Sequence, residues 1–285
     1  SNTALQKVRN LYKAEKAGHT GALDPLATGV LPICIGEATK VAGYLLGNDK
    51  AYIVTAQLGC TTDTDDAEGQ VLQQRAIGVY SKQQIEQLLE DFVGEIQQVP
   101  PIYSALKQGG EPMYVKARRG DVIDLPARTV HIHSISLNKL NADTLELSVV
   151  CGTGTYIRSL VRDLGERLGC GAHVTELRRT WVQPFQSETL WTIEQLEALA
   201  EQGTEVLDAV LMPVEVALSG IQKLIVDDEQ ARKIGMGQKI TVSNMNEAVE
   251  LIQLCSPQGR CLGLASIDAS GLLKVQRLFC WASIS

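Results

Sequence analysis

Three stretches of period-two alternation constrain this chain more than anything else in it. Lys50 to Leu58, Thr129 to Leu137 and Thr144 to Val150 alternate apolar with polar residues, and Glu176 to Val182 reads as a further strand. Successive side chains of a strand point to opposite faces, so such segments belong in a half-buried sheet. Helical spacing falls between them. Leu5, Val8, Leu11 and Tyr12 form one stripe within residues 3–16, with Thr3 as its cap and Lys7, Arg9, Lys13 and Lys16 opposite. Ser81 opens a second helix to Phe92, Thr155 to Leu168 is a strong third, and Thr192-Ile193-Glu194-Gln195 caps a fourth. The body therefore mixes helices with strands. After Ser219 the texture changes. Leu224–Val226, Gln238–Val242, Ala248–Leu254, Cys261–Ile267 and Leu272–Phe279 are short strands with Gly or Pro between most of them, the pattern of a small β-barrel.

Two segments escape both periods. Gly18 to Gly36 carries Gly at 18, 21, 29 and 36 and Pro at 25 and 32, which excludes a long helix. Pro100 to Arg128 is a long excursion without a clean period, and such excursions in compact domains are usually functional or mobile. Hydrophobic residues make up 45% and charged residues 21%, enough to build a core and too apolar for a disordered chain. No run approaches the length of a membrane span, and Ser1 to Lys7 has no apolar leader core. The 7 cysteines are scattered among apolar neighbours, as expected of reduced, packed thiols in a cytoplasm.

Charge at first argues against a nucleic-acid partner: 26 basic against 33 acidic side chains, a net of −7. The distribution is uneven. Residues 1–40 and 101–180 are net +2 and +3, while 41–100 and 181–285 are each −6. Phosphate is felt over roughly 8 Å at physiological salt, so a local basic face outweighs the total.

Asp24 stands between Leu23 and Pro25 on the glycine-flanked loop. An acid among apolar neighbours stays charged only with a cation beside it, and an ionised carboxylate in a dry pocket serves as nucleophile or electrostatic catalyst. An ordinary Asp-Pro turn is the competing reading. The loop's sequence, Gly18-His19-Thr20-Gly21-Ala22-Leu23-Asp24-Pro25 with Ala27-Thr28-Gly29 and Gly36-Glu37-Ala38-Thr39-Lys40, resembles the catalytic loop of pseudouridine synthases of the bacterial TruB type. Four further segments match in order. They are Lys50-Ala51-Tyr52 with the turn Thr62-Asp63-Thr64-Asp65-Asp66-Ala67-Glu68-Gly69, then Pro100-Pro101-Ile102-Tyr103-Ser104-Ala105-Leu106-Lys107 running to Tyr114 and Arg118, then Gly152-Thr153-Gly154-Thr155-Tyr156-Ile157-Arg158, and Leu177-Arg178-Arg179-Thr180. Five ordered motifs over about residues 2–215 are far more specific than one short pattern.

The resemblance implies an α+β fold: a mixed, mainly antiparallel sheet with flanking helices over residues 1–218, a thumb-loop insertion at about 100–128, and a small PUA-like RNA-binding β-barrel over 219–285. It implies conversion of uridine 55 in the T-loop of tRNA to pseudouridine, with no metal or organic cofactor, no membrane and no obligate protein partner, by a cytoplasmic monomer. Asp24, Tyr52 and Arg158 would be catalytic. His19, Tyr156, Leu177, Lys40, Lys107, Arg118 and Arg119 would contact RNA. A buried uridine must be flipped out at a cost of a few kcal/mol, and stacking on Tyr52 would return about 1–3 kcal/mol. Tyr52 would also help remove the C5 proton. Arg158 would pair with Asp24; its blander alternative is a helix-surface arginine, in a stretch where Arg162 and Glu166 stand at pairing distance. Family members carry a Lys-Pro segment ahead of the stretch matching Ser1-Asn2, so an N-terminal strand and its lysine are expected to be missing from these 285 residues.

Other signals read blandly. Gly152-Thr153-Gly154 lacks the third glycine of a dinucleotide fingerprint, Asp63 to Asp66 lacks the Glu of a calcium loop, and His131 with His133 lacks a third metal ligand. Two other functions compete: a non-catalytic tRNA-binding or folding module, and a guide-dependent archaeal-type synthase. The Thr-x-Asp-x-Asp turn and the thumb speak against the latter.

Overall fold

The computed structural model of the chain describes every residue except 105–106, 109, 114, 116–118, 120–124, 243–246 and 284–285. It comprises two compact units. One is formed by Leu23–Leu31 with Gly47–Gln183, the other by Ser1–Ala22, Pro32–Leu46 and Pro184–Ser285.

The first of these is built on a six-stranded sheet whose order is 28–29, 172–182, 50–58, 144–151, 128–140, 94–98. All neighbours are antiparallel except the short parallel pairing of Thr28 and Gly29 with Arg178 and Arg179. The alternation seen in the sequence becomes burial: Leu145, Leu147, Val149 and Cys151 point into the core from one strand, and Val54, Ala56 and Leu58 from the next. The helix Ile157–Leu168 lays Ile157, Leu160, Val161 and Leu164 on that face at i, i+3, i+4 and i+7. Each such side chain contributes about 1.5–3 kcal/mol when fully buried. The helix stops at Gly169, whose φ of +80° is the left-handed ending. A second helix, Lys82–Glu90, starts on the capping box of Ser81 and Gln84 and buries Ile85 and Leu89. The expected α+β body, mainly antiparallel, is the one observed.

The other unit ends in a five-stranded sheet of order 223–225, 249–255, 261–267, 272–278, 240–241. It curls as a half-barrel, which fits a PUA-like domain, over a core of Ile252, Leu254, Ala265 and Ile267. Two expectations need correction here. The first helix is Asn2–Leu11, not 3–16, because Lys13 turns to a φ of +47° and the Arg9 guanidinium closes the end on the carbonyls of Ala14 and Glu15 at 3.0 and 3.1 Å. The run of strands also hid a helix, Asp228–Gly235, which starts on the capping box of Asp227 and Gln230.

All seven cysteines are free thiols. Among the described residues no helix is long and apolar enough to cross a membrane.

Candidate functional site

Asp24 reaches the site because the loop carrying it is stitched to the sheet. The Val30 N–H donates to the Arg179 carbonyl at 2.9 Å, and Arg179 Nε donates back to the Val30 carbonyl at 2.7 Å. Gly29 makes that approach possible. Its φ is +99°, and a Cβ there would overlap the Arg179 carbonyl oxygen. Left-handed strain of about 1–2 kcal/mol then adds to overpacking of about 1–3 kcal/mol. Gly29→Ala should therefore lower unfolding free energy by about 2–5 kcal/mol in a denaturant titration, and a loss below roughly 0.5 kcal/mol, the range of an ordinary surface change, would refute the stitching.

The Asp24 carboxylate receives a two-point fork from Arg158, Nε to Oδ2 at 2.9 Å and Nη2 to Oδ1 at 3.0 Å. The arginine side chain is 5% exposed and the aspartate 32%, so the carboxylate is the solvent-facing member of the pair. Arg158 is held by more than its partner. Nη1 donates to the Thr64 carbonyl at 2.9 Å, Nη2 donates to the Tyr103 carbonyl at 3.0 Å, and Asp66 Oδ2 lies 3.4 Å from Nη1. A buried guanidinium needs such satisfaction, since its desolvation costs several kcal/mol. Asp66 is aimed by Thr64 Oγ1 and the Glu68 N–H, which donate to its Oδ1 at 2.6 and 3.1 Å. Three separate segments therefore converge on one arginine.

Two tyrosines stand within electrostatic reach of the fork. Tyr52 stands opposite Arg179 on one neighbouring strand and Val149 on the other. Burial pushes its phenol up to about 12, and Asp24 adds to this while Arg179 opposes it. Tyr156 caps the Ile157–Leu168 helix, its N–H donating to the buried Gln98 Oε1 at 2.8 Å. Its phenol is also raised, by burial first; Asp24 pushes the same way, and Ser104, Arg128 and Arg158 pull it down. Leu177 is buried opposite Val54, one alternation from Arg179 on the same strand.

The structure thus gathers Asp24, Arg158, Tyr52 and Tyr156, with Leu177 on the same sheet. His19 ends the strand Ala17–His19 opposite Ile33 in the other unit. Lys40 lies there too, its Nζ donating to Glu37 Oε2 and to the Leu278 carbonyl, both at 2.7 Å. Lys107 pairs through its backbone with Pro112 in a short hairpin, and Arg119 pairs with Glu111 at 3.2 Å. Arg118 lies outside the described residues, as do Lys116 and Tyr114. The sequence pattern missed two members, Asp66 and Arg179. Asp66 looked like part of an acidic turn, and only its 3% side-chain exposure marks it. Arg179 has 1% exposure, beside an exposed Arg178 of the same type. Strand alternation separates their faces without saying which face is inside.

Known proteins share this chain's sequence and fold. Three family models match in succession: "TruB family pseudouridylate synthase (N terminal domain)" over residues 9–157, "tRNA pseudouridylate synthase B C-terminal domain" over 158–219, and "Pseudouridine synthase II TruB, C-terminal" over 223–279. The tRNA pseudouridine synthase B of Xanthomonas euvesicatoria pv. vesicatoria is 51% identical over 98% of this chain and 90% of its own length. That of Xylella fastidiosa is 48% identical over 98% and 91%. Among solved structures, a Cbf5-Nop10-Gar1 complex aligns with a TM-score of 0.75 at 25% identity, covering 96% of this chain and 79% of that one. An archaeal box H/ACA sRNP Nop10-Cbf5 complex aligns at 0.73 and 23% identity, over 99% and 83%, a likeness of fold. Family models that run almost end to end, together with relatives identical at about half their positions, establish that the chain belongs to the TruB family of pseudouridine synthases.

Proposed function

We propose that the chain converts uridine 55 of the tRNA T-loop to pseudouridine, and that it does so alone, as a cytoplasmic monomer without metal or organic cofactor. One observation carries the reading: a carboxylate on the solvent side of a buried, fully engaged guanidinium, with two tyrosines in its electrostatic reach. The substrate class follows from relatives named as tRNA-modifying enzymes across nearly the whole chain. Residues 1–218 act as the catalytic domain and 219–285 as the PUA-like RNA-binding domain.

In this reading the flipped uracil stacks on Tyr52 and lies over Asp24. The Asp24 carboxylate attacks the ribose or the base. The N1–C1′ bond breaks, the ring turns, C5 bonds to C1′, the bond to Asp24 breaks and returns the free carboxylate, the C5 proton leaves and N1 takes one up, so the product is an isomer of the substrate. Leu177 and Tyr156 bound the pocket, and His19, Lys40, Lys107, Arg118 and Arg119 meet the RNA. Arg119 exchanges its exposed partner Glu111 for phosphate, at a cost of about 0–1 kcal/mol.

Tyr52 stacks beneath the uracil and, in this reading, its phenolate helps remove the C5 proton. With its phenol at about 12, its ionised fraction at pH 7 is on the order of 1 in 100,000. Single-turnover rates should accordingly rise about tenfold per pH unit between roughly pH 7 and pH 10; a flat profile across that window would leave Tyr52 a stacking role alone.

The test of the reading is direct. Unmodified tRNA tritiated at uridine C5 is mixed with the lone chain. Release of tritium from position 55, and none from a transcript with cytidine there, is expected. No release would favour an RNA-binding module, and release only with added guide RNA and proteins would favour the guide-dependent type.

A further inference from the structure

Arg158 has a neighbour that reaches for the same two segments. One turn further along the helix, Arg162 Nη1 donates to Asp65 Oδ2 at 2.8 Å, Nη2 donates to the Val99 carbonyl at 2.9 Å, and Nε donates to Asp163 Oδ1 at 2.9 Å. Ser159 Oγ donates to the same Val99 carbonyl at 2.8 Å. Residues four apart share a helix face, so the two arginines make parallel rungs. Arg158 grips Thr64 and Tyr103; Arg162 grips Asp65 and Val99.

The turn between them is held in an uncommon shape. Asp65 has a φ of +60°, in the left-handed region that few side chains adopt. Its carbonyl accepts from the Val174 N–H at 3.0 Å, and its N–H donates to the Thr62 carbonyl at 3.3 Å. In that shape consecutive carboxylates serve consecutive arginines, Asp65 to Arg162 and Asp66 to Arg158.

We propose that Arg162 is a positioning residue for the isomerisation: through Asp65 and the Val99 carbonyl it sets the register of residues 62–69 and 99–103 against the helix, and so the place at which Arg158 presents Asp24. The proposal rests on the reading of Asp24 as the reacting carboxylate.

An ordinary stabilising ion pair is the alternative, which the variants below distinguish by rate, tRNA Kd and Tm. Burial pushes the Asp65 carboxyl up to about 6 even though Arg162 and Arg158 pull it down; Asp163 adds a smaller push upward. Burial raises Asp163 as well, against Arg162. For an acid raised in the folded state, the neutral form is the one the fold favours. The stability this gives is present at low pH and is lost as pH rises through about 6.

Arg162→Gln, Arg162→Lys, Asp65→Asn and the Arg162→Gln/Asp65→Asn double variant would be compared with wild type by single-turnover tritium release, tRNA binding and thermal melting at pH 7.5. Arg162→Gln and Asp65→Asn should each slow release by about tenfold or more, with tRNA Kd within roughly threefold. The double variant should be no slower than the slower single, Arg162→Lys should recover part of the rate, and the Tm of Asp65→Asn should not fall. The wild-type rate should drop as pH falls through about 6, and Asp65→Asn should lack that limb. The inference is overturned if Arg162→Gln keeps a rate within roughly twofold of wild type, if tRNA affinity falls as much as the rate, or if the two single losses multiply in the double variant. Asp24→Asn in the same assay separates the two levels: should it turn over normally, the reading of the site itself has failed.

Discussion

Asp24→Asn lowers pseudouridine formation to below about a ten-thousandth of wild type, a barrier increase of more than about 5.5 kcal/mol, while tRNA affinity stays within a few-fold. The size follows from what the amide cannot do. It is neutral, it is a poor nucleophile, and one end of it is a donor facing the donors of Arg158. Folding survives because Arg158 keeps the Thr64 and Tyr103 carbonyls and the Asp66 carboxylate. Removing one partner of a fully buried pair costs about 3–5 kcal/mol, but Asp24 is about one-third exposed and Asp66 remains, so the loss here is smaller. Single-turnover tritium release and filter binding on the same preparation check both halves. Retention of even a tenth of the wild-type rate would remove Asp24 from the chemistry.

Arg158→Lys lowers the rate by about a hundredfold or more, roughly 2.7 kcal/mol, although the charge is kept. The guanidinium spans four acceptor groups at fixed angles: both Asp24 oxygens, the Thr64 carbonyl and the Tyr103 carbonyl. An ammonium has three donors from a single point and a shorter reach, so it holds one oxygen of Asp24 or the two carbonyls, not all. A buried acceptor left unpaired costs about 1–3 kcal/mol, which should appear as a lower Tm. RNA affinity should hardly move, because the side chain is 5% exposed and meets the carboxylate, not solvent. The variant is measured for rate, tRNA Kd and Tm together. A rate within roughly threefold of wild type would show that charge alone suffices and that the fork is incidental.

The architecture was largely legible in the sequence. Strands 50–58 and 261–267 appear at the expected bounds, because alternation in the first and a short apolar run between turn residues in the second are local signals. The capping boxes at Ser81 and Thr192 are local too, and both helices begin there. The same signature at Asp227 opens a helix in a stretch whose texture otherwise reads as short strands. Chain ends of helices are less legible: Arg9 closes the first one early through contacts that its spacing does not show.

The site divides the same way. Asp24, Tyr52, Tyr156 and Arg158 follow from the order of motifs along the chain, since each motif carries its own residue with it. Who pairs with whom does not. Helical spacing offers Glu166 to Arg162, yet Glu166 pairs with Arg75 at 2.8 Å and Arg162 turns to Asp65 and Val99. Spacing shows only which partners are within reach along one helix, whereas a buried guanidinium goes to whatever acceptors the folded chain leaves near it in low dielectric. The element types, the catalytic loop and its carboxylate are thus properties of the amino-acid order. The burial of Arg179 rather than Arg178, the entry of Asp66 into the ion-pair network and the second rung at Arg162 exist only once distant segments close around the helix.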